Sequence, residues 1–267
     1  MSLLAAKIVS TIVIVLGLSG IAERAGPALA GTLAGLPLGV AIVFFFIGIE
    51  QGPMFIADAA AYTIGGFAAT LCFNLGYWLV SSRVHRHRFA SAIGGGLLAY
   101  LIAAVAITQL PLNVWTATLL VAIVAGLSIL AMRGHENTVI GSRVKMTWLV
   151  VAARAGVAVG VVVAVTGVAA AIGPRWSGLL AGFPIMLFPL LIILQFSYSP
   201  EDAYTVIKSF PYGLPSLVVF VLCAWAVFVP LGVPLGFVVS LLASMVWLAG
   251  YFVLKRRMAM MRDAEGG

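Results

Sequence analysis

The stretch Gly26-Pro27-Ala28-Leu29-Ala30-Gly31-Thr32-Leu33-Ala34-Gly35-Leu36-Pro37 has a second copy. It reads Gly173-Pro174-Arg175-Trp176-Ser177-Gly178-Leu179-Leu180-Ala181-Gly182-Phe183-Pro184. Seven of the twelve positions are identical at one constant offset, with no gap. The same offset carries Ala5-Ala6-Lys7 onto Ala152-Ala153-Arg154. Chance matches are common in apolar sequence, but they rarely preserve Gly, Pro and a basic residue together. Further along, and with a small gap, Asp58 with Ala61-Tyr62-Thr63 resembles Asp202 with Ala203-Tyr204-Thr205. The chain therefore reads as a duplicated unit.

Composition says what kind of unit it is. Hydrophobic residues make up 63% and charged residues 9%, against soluble norms of about 45–50% and about 25%. Eight Asp and Glu with fifteen Lys and Arg cannot clothe a water-soluble globule of this size. A soluble enzyme, a disordered chain and a nucleic-acid-binding domain are excluded, and a polytopic membrane protein remains. The net charge of +7 needs no polyanionic partner, because an excess of Lys and Arg in cytoplasmic loops produces it.

A helix needs about 20 apolar residues to cross the hydrocarbon core. Nine such runs are expected, at 3–21, 28–49, 54–81, 89–108, 112–132, 147–172, 176–196, 203–229 and 232–254. The runs are continuous and do not alternate as barrel strands would. The first run has no basic segment ahead of it and contains Lys7, so it does not read as a signal peptide. The expected fold is all-α, with two four-helix repeats joined by a linker helix. Residues 1–108 form the first repeat, 109–146 the linker span and loop, 147–255 the second repeat, and 256–267 a tail. Equivalent spans are then five apart, which inverts one half relative to the other, as in many secondary transporters.

Basic residues set the orientation. Arg83, Arg86 and Arg88 follow span three. Arg133, Arg143 and Lys145 surround the break after span five. Lys255, Arg256, Arg257 and Arg262 follow span nine. With nine spans these fall on one side, so the C-terminus is expected in the cytoplasm and the N-terminus outside.

The second half, from about Val150 to Lys255, resembles the GlpM family of small four-span bacterial inner-membrane proteins. The likeness lies in Leu180-Ala181-Gly182-Phe183-Pro184-Ile185, the charged turn Ser199-Pro200-Glu201-Asp202, Pro211 and Pro215 in the next span, and a last apolar helix ending at Lys255. The resemblance implies a four-span unit in a bacterial inner membrane. It implies no catalytic or binding residues.

Within the repeat, Gly31 and Gly35, and Gly178 and Gly182, have the spacing that lets two helices approach closely in lipid. Pro37 and Pro184 each remove a backbone donor two residues later. A carbonyl freed at membrane depth must be buried in protein or line a wet cavity. The motif thus fits either plain helix packing or a broken-helix site for a solute or ion. Arg154 sits several residues into span six, where it either snorkels or binds an anionic group. Lys7, its counterpart, reads first as a snorkelling residue and otherwise, with Arg154, as a candidate for binding the substrate or ion. Glu50 and Asp58 flank one break, and Glu201 and Asp202 flank the matching one. They serve either as helix-end charges or as a mirrored pair of acidic gates, with Arg175 a candidate partner for Glu50 or Asp58. Asn74 and Gln195 within spans read as interhelical hydrogen-bonders. No cofactor motif or metal-ligand spacing is present in the sequence. The expected partners are membrane lipid and a small molecule or ion that the sequence does not name. The first functional reading is a small secondary transporter or exporter, not an enzyme. The alternatives are a non-transporting assembly or envelope-biogenesis accessory protein, or a lipid flippase.

Overall fold

A computed structural model describes residues 3–13, 32, 36–84, 87–135, 148–185, 187–197 and 200–265. The side chains of 149–151, 153–154, 192–193, 195–197, 259 and 262–265 are excepted. Gly31, Gly35 and the side chains of Arg154 and Gln195 therefore lie outside the described residues.

The described chain is all-helical. In order it forms α1 (Leu3–Val13), α2 (Leu38–Gln51), α3 (Pro53–Arg83), α4 (Arg88–Thr108), α5 (Val114–Ala131), α6 (Trp148–Ala181), α7 (Leu187–Ser197), α8 (Pro200–Leu231) and α9 (Val233–Glu265). Six of these (α3, α4, α5, α6, α8 and α9) are long and apolar enough to cross a membrane. Each half places a short helix after its Pro motif, then two long helices: α2–α3–α4 and α7–α8–α9. The α5 helix stands between the halves.

Local sequence explains the ends. Asn113 starts α5 with a reciprocal cap. Its Oδ1 accepts from the backbone N–H groups of Trp115 and Thr116, both at 2.9 Å, and the Thr116 hydroxyl accepts from the Asn113 N–H. These bonds satisfy orphan donors of the first turn. Gly173 turns the chain inside α6 with φ 73° and ψ 174°, a conformation other residues rarely adopt. Pro174 follows as the first residue of the next helical segment, where its missing N–H costs nothing. The Ser177 hydroxyl donates to Ala169 O across this turn at 3.3 Å. The turn falls where expected spans six and seven divide.

Burial ranks the helices. In the most apolar window of α3, 78% of residues are buried, against 17–44% in the other five long helices. The α3 helix is therefore the hub, with α4, α5, α6 and α8 packed around it. The peripheral helices are apolar on their outer faces: Leu98, Ile102, Leu119, Ile123, Leu242 and Val246 are all exposed. A water-soluble domain would not leave such contiguous faces bare; lipid is the solvent that suits them.

Candidate functional site

The second Gly-Pro motif is a break in the helix, not a bend. The α6 helix ends at Ala181, a turn occupies 182–185, and α7 begins at Leu187. Expected span 176–196 is thus two half-helices. Before the break, α6 lies directly on α3. A Cβ built on Gly178 would stand 2.4 Å from Ala59 O, and one on Gly182 would stand 2.8 Å from the Gly66 Cα. Those neighbours are backbone atoms and cannot yield.

Side chains from other helices donate to carbonyls at the break. The Tyr100 hydroxyl of α4 donates to Leu179 O at 2.7 Å. The Thr70 hydroxyl of α3 donates to Gly182 O at 2.7 Å. Beside them lies a cavity of about 30 Å³ lined by Thr70, Gly182, Pro184 and Ile185 from one side and by Leu36, Gly39 and Val40 from the other. Leu36 flanks Pro37, and Gly39 and Val40 follow it. The break of the second repeat and the matching point of the first therefore face one cavity, which has room for a water-sized guest.

Lys7 does not snorkel. Its side chain is 7% exposed, and its Nζ lies 2.6 Å from a Glu50 carboxylate oxygen. The ammonium also donates to the Thr166 hydroxyl at 2.7 Å and sits 5.8 Å from the centre of the Phe46 ring. Three helices, α1, α2 and α6, converge on this one charge. Burial explains the difference from the sequence expectation: with neighbours on every side, a paired ammonium gains more than a long reach to the interface would give. Glu50 is thereby taken, and Arg175 instead lies 5.4 Å over the Tyr62 ring. Asp58 is exposed, as is Glu201, whereas Asp202 is buried.

A second polar cluster occupies the other end of α3. The Tyr204 hydroxyl of α8 donates to Ser81 Oγ at 2.9 Å. Arg88 donates from Nε to Ser81 O at 2.6 Å and from Nη2 to the Tyr204 hydroxyl oxygen at 3.0 Å. His135 sits edge-on between Trp78 and Tyr204, at 5.7 and 5.4 Å between ring centres. Lys208 donates to the His135 carbonyl. The sequence pointed to Arg88 only as an orientation signal and to Tyr204 only as a repeat match.

Asn74 departs from expectation. It is fully buried, yet neither atom of its amide has a hydrogen-bond partner. Trp78 Nε1, one turn further along, is also buried and unpartnered, as is Ser128 Oγ on α5.

No family model, curated protein or solved structure matches the chain. Fold and composition define its class: a multi-pass membrane protein, all-helical over the described residues, in which the break at 182–185 shares a cavity with Leu36, Gly39 and Val40 beside the central helix.

Proposed function

We propose that this chain is a small secondary transporter or exporter, built from two inverted repeats, with its solute site at the cavity between the two Pro motifs. One observation carries the reading: Leu36, Gly39 and Val40 of the first repeat and Gly182, Pro184 and Ile185 of the second line the same cavity. Discontinuous helices meeting at a repeat interface are how many transporters build a midplane site. This is an analogy of architecture. The cavity has room for a water-sized guest. The matched helix order of the two halves and the likeness of the second half to the GlpM family both support the four-span unit.

The proposal includes nine membrane crossings in a bacterial inner membrane, with the N-terminus outside and the C-terminus in the cytoplasm. The polar contacts sort accordingly. Lys7–Glu50, Lys7–Thr166, Tyr62–Leu110 and Arg175–Tyr62 join residues assigned to the outer end. Ser81–Tyr204, Arg88–Tyr204 and Lys208–His135 join residues assigned to the inner end. No pair crosses between these two sets.

A substrate-free test follows. Cys72 and Cys223 are replaced by Ser, and single cysteines are introduced as Gly39→Cys at the cavity and Met258→Cys in the exposed last helix. Each is treated with a membrane-impermeant maleimide in right-side-out and in inside-out vesicles. Met258→Cys is expected to react only in inside-out vesicles. Gly39→Cys is expected to react slowly from both sides, as the cavity opens to each in turn. Reaction of the cavity position from neither side, or from one side only, would count against transport. It would favour an accessory protein that packs this region shut.

A further inference from the structure

The buried polar atoms that lack a hydrogen-bond partner are gathered at one end of the bundle. Among the described residues they are both amide atoms of Asn74, Trp78 Nε1 and Ser128 Oγ. Asn74 and Trp78 stand in the half of α3 that runs to Ser81, and Ser128 stands near the end of α5, which leads on to His135 beside Trp78. Toward the opposite end the buried groups have partners. Lys7 meets Glu50 and Thr166, the Thr11 hydroxyl donates to Lys7 O, and the Thr63 hydroxyl donates to Ala59 O. A buried polar atom without a partner costs free energy, and water that reaches it removes that cost. Closed packing is therefore the less favourable arrangement at the Ser81 end.

The same atoms mark a path. Successive residues turn by about 100° along a helix, so Thr70, Asn74, Trp78 and Ser81 fall on one side of α3. Thr70 lines the cavity between the Pro motifs. Ser81 lies about three helical turns away, or roughly 16 Å, and there its hydroxyl accepts from Tyr204 of α8. Arg88 at the start of α4 also donates to the Tyr204 hydroxyl. In the closed protein this side of α3 is packed shut, with Asn74 and Ser81 fully buried. Tyr204 belongs to the second repeat, and Ser81 and Arg88 belong to the first. Movement of one repeat away from the other at this end breaks the two hydrogen bonds of Tyr204 and exposes the unpartnered atoms to water.

We propose that the Ser81 end is a gate to that cavity: α8 parts from α3 at Tyr204, and water enters along the Asn74 and Trp78 side of α3 as far as Thr70. The hydrogen bonds of Tyr204 hold the gate shut, and hydration of the Asn74 amide and the Trp78 indole favours its opening. The gate is the way into the solute site proposed above and rests on that reading for its purpose, while its opening is measured without a solute.

The test uses the full chain with Cys72→Ser, Cys223→Ser and Gly39→Cys as the reporter in the cavity. A membrane-impermeant maleimide is applied to sealed vesicles of both orientations. Met258→Cys, where α9 returns to the Ser81 end, identifies the side that presents the gate. Asn74→Leu is expected to slow the reaction of Gly39→Cys from that side about tenfold, as the cost of a buried unpartnered group implies, because Leu gains nothing from water. Tyr204→Phe is expected to speed it about tenfold, as loss of a hydrogen bond that holds the closed state implies. Neither variant is expected to change the rate from the other side. Ser81→Ala, which removes the acceptor of the Tyr204 hydroxyl, takes the place of Tyr204→Phe if that variant does not insert, and the Tyr204 or Ser81 variant decides alone if Asn74→Leu does not fold. A cavity thiol unreactive from the gate side, or a gate-side rate that any of these variants leaves unchanged, overturns the proposal. The two readings fail separately. Reaction from both sides with an unmoved gate-side rate keeps the transporter and discards the gate. Reaction from the gate side only, shifted as expected by the variants, keeps the gate and counts against transport.

Discussion

Glu50→Leu is expected to destabilise the protein severely, toward the lower end of the roughly 3–5 kcal/mol seen when one partner of a buried ion pair is removed. The asymmetry of burial sets the direction. The Lys7 side chain is 7% exposed and that of Glu50 is 24% exposed. Removing Glu50 strands the deeper charge, which keeps only the Thr166 hydroxyl and the Phe46 ring. Lys7→Met should cost less, because the Glu50 carboxylate that remains can recruit water. The double variant Lys7→Met/Glu50→Leu is expected to return to within about 1 kcal/mol of wild type, since an apolar pair of similar volume often replaces a buried ion pair without loss. Unfolding in detergent or bicelles, with all three variants compared as a cycle, measures this. Additive losses would show that the two side chains do not depend on each other.

Gly178→Ala is the second large effect, expected to cost about 1–3 kcal/mol, the usual range for forcing a methylene into a packed interior. The added carbon meets Ala59 O at 2.4 Å and the Thr63 N at 3.0 Å, so α6 must move off α3. Gly182→Ala should behave similarly, because its neighbours are the Gly66 and Thr63 backbones. Gly156→Ala on the same helix has nothing within 4 Å of the new atom. It is expected to be neutral or to stabilise by about 0.5–1 kcal/mol, the gain of Ala over Gly within a helix. Thermal melts of the three variants separate close packing from a general intolerance of substitution along α6. Equal melting temperatures for Gly178→Ala and Gly156→Ala would contradict the packing described.

Much of this was readable in the sequence, and the reason differs from place to place. The sequence marked a kink at the second Gly-Pro motif, because Pro184 removes a backbone donor, but it carried one span on to 196 where the structure has two half-helices. The turn at Gly173 was legible on the same grounds. Membrane helices in general were legible because the apolar runs are long and continuous. Pairing was less so. The sequence placed Lys7, Glu50, Asp58 and Arg175 at one end of the bundle, but which of them meet depends on how each helix is rotated. A span that is apolar all round gives no such information. Lys7 accordingly looked like a snorkelling residue and is in fact the centre of a three-helix contact. Asn74 was misread for a related reason. An amide inside a span is expected to find a partner, and whether it does depends on the faces of α6 and α8 opposite. The Ser81–Tyr204–Arg88 cluster was hidden by its own basic residue, since Arg83, Arg86 and Arg88 read in the sequence as an orientation signal.

The central claim is that the two Pro motifs, one per repeat, close on a single cavity. The most direct measurement is a cross-link between them. In a chain with Cys72→Ser and Cys223→Ser, the double variant Leu36→Cys/Ile185→Cys is oxidised in the membrane. Disulfide formation within one chain is then followed by loss of maleimide reactivity. Both residues line the cavity, so rapid intramolecular cross-linking is the predicted result. Two thiols that stay free under oxidation, yet react readily with a membrane-permeant maleimide, would show that the motifs do not meet.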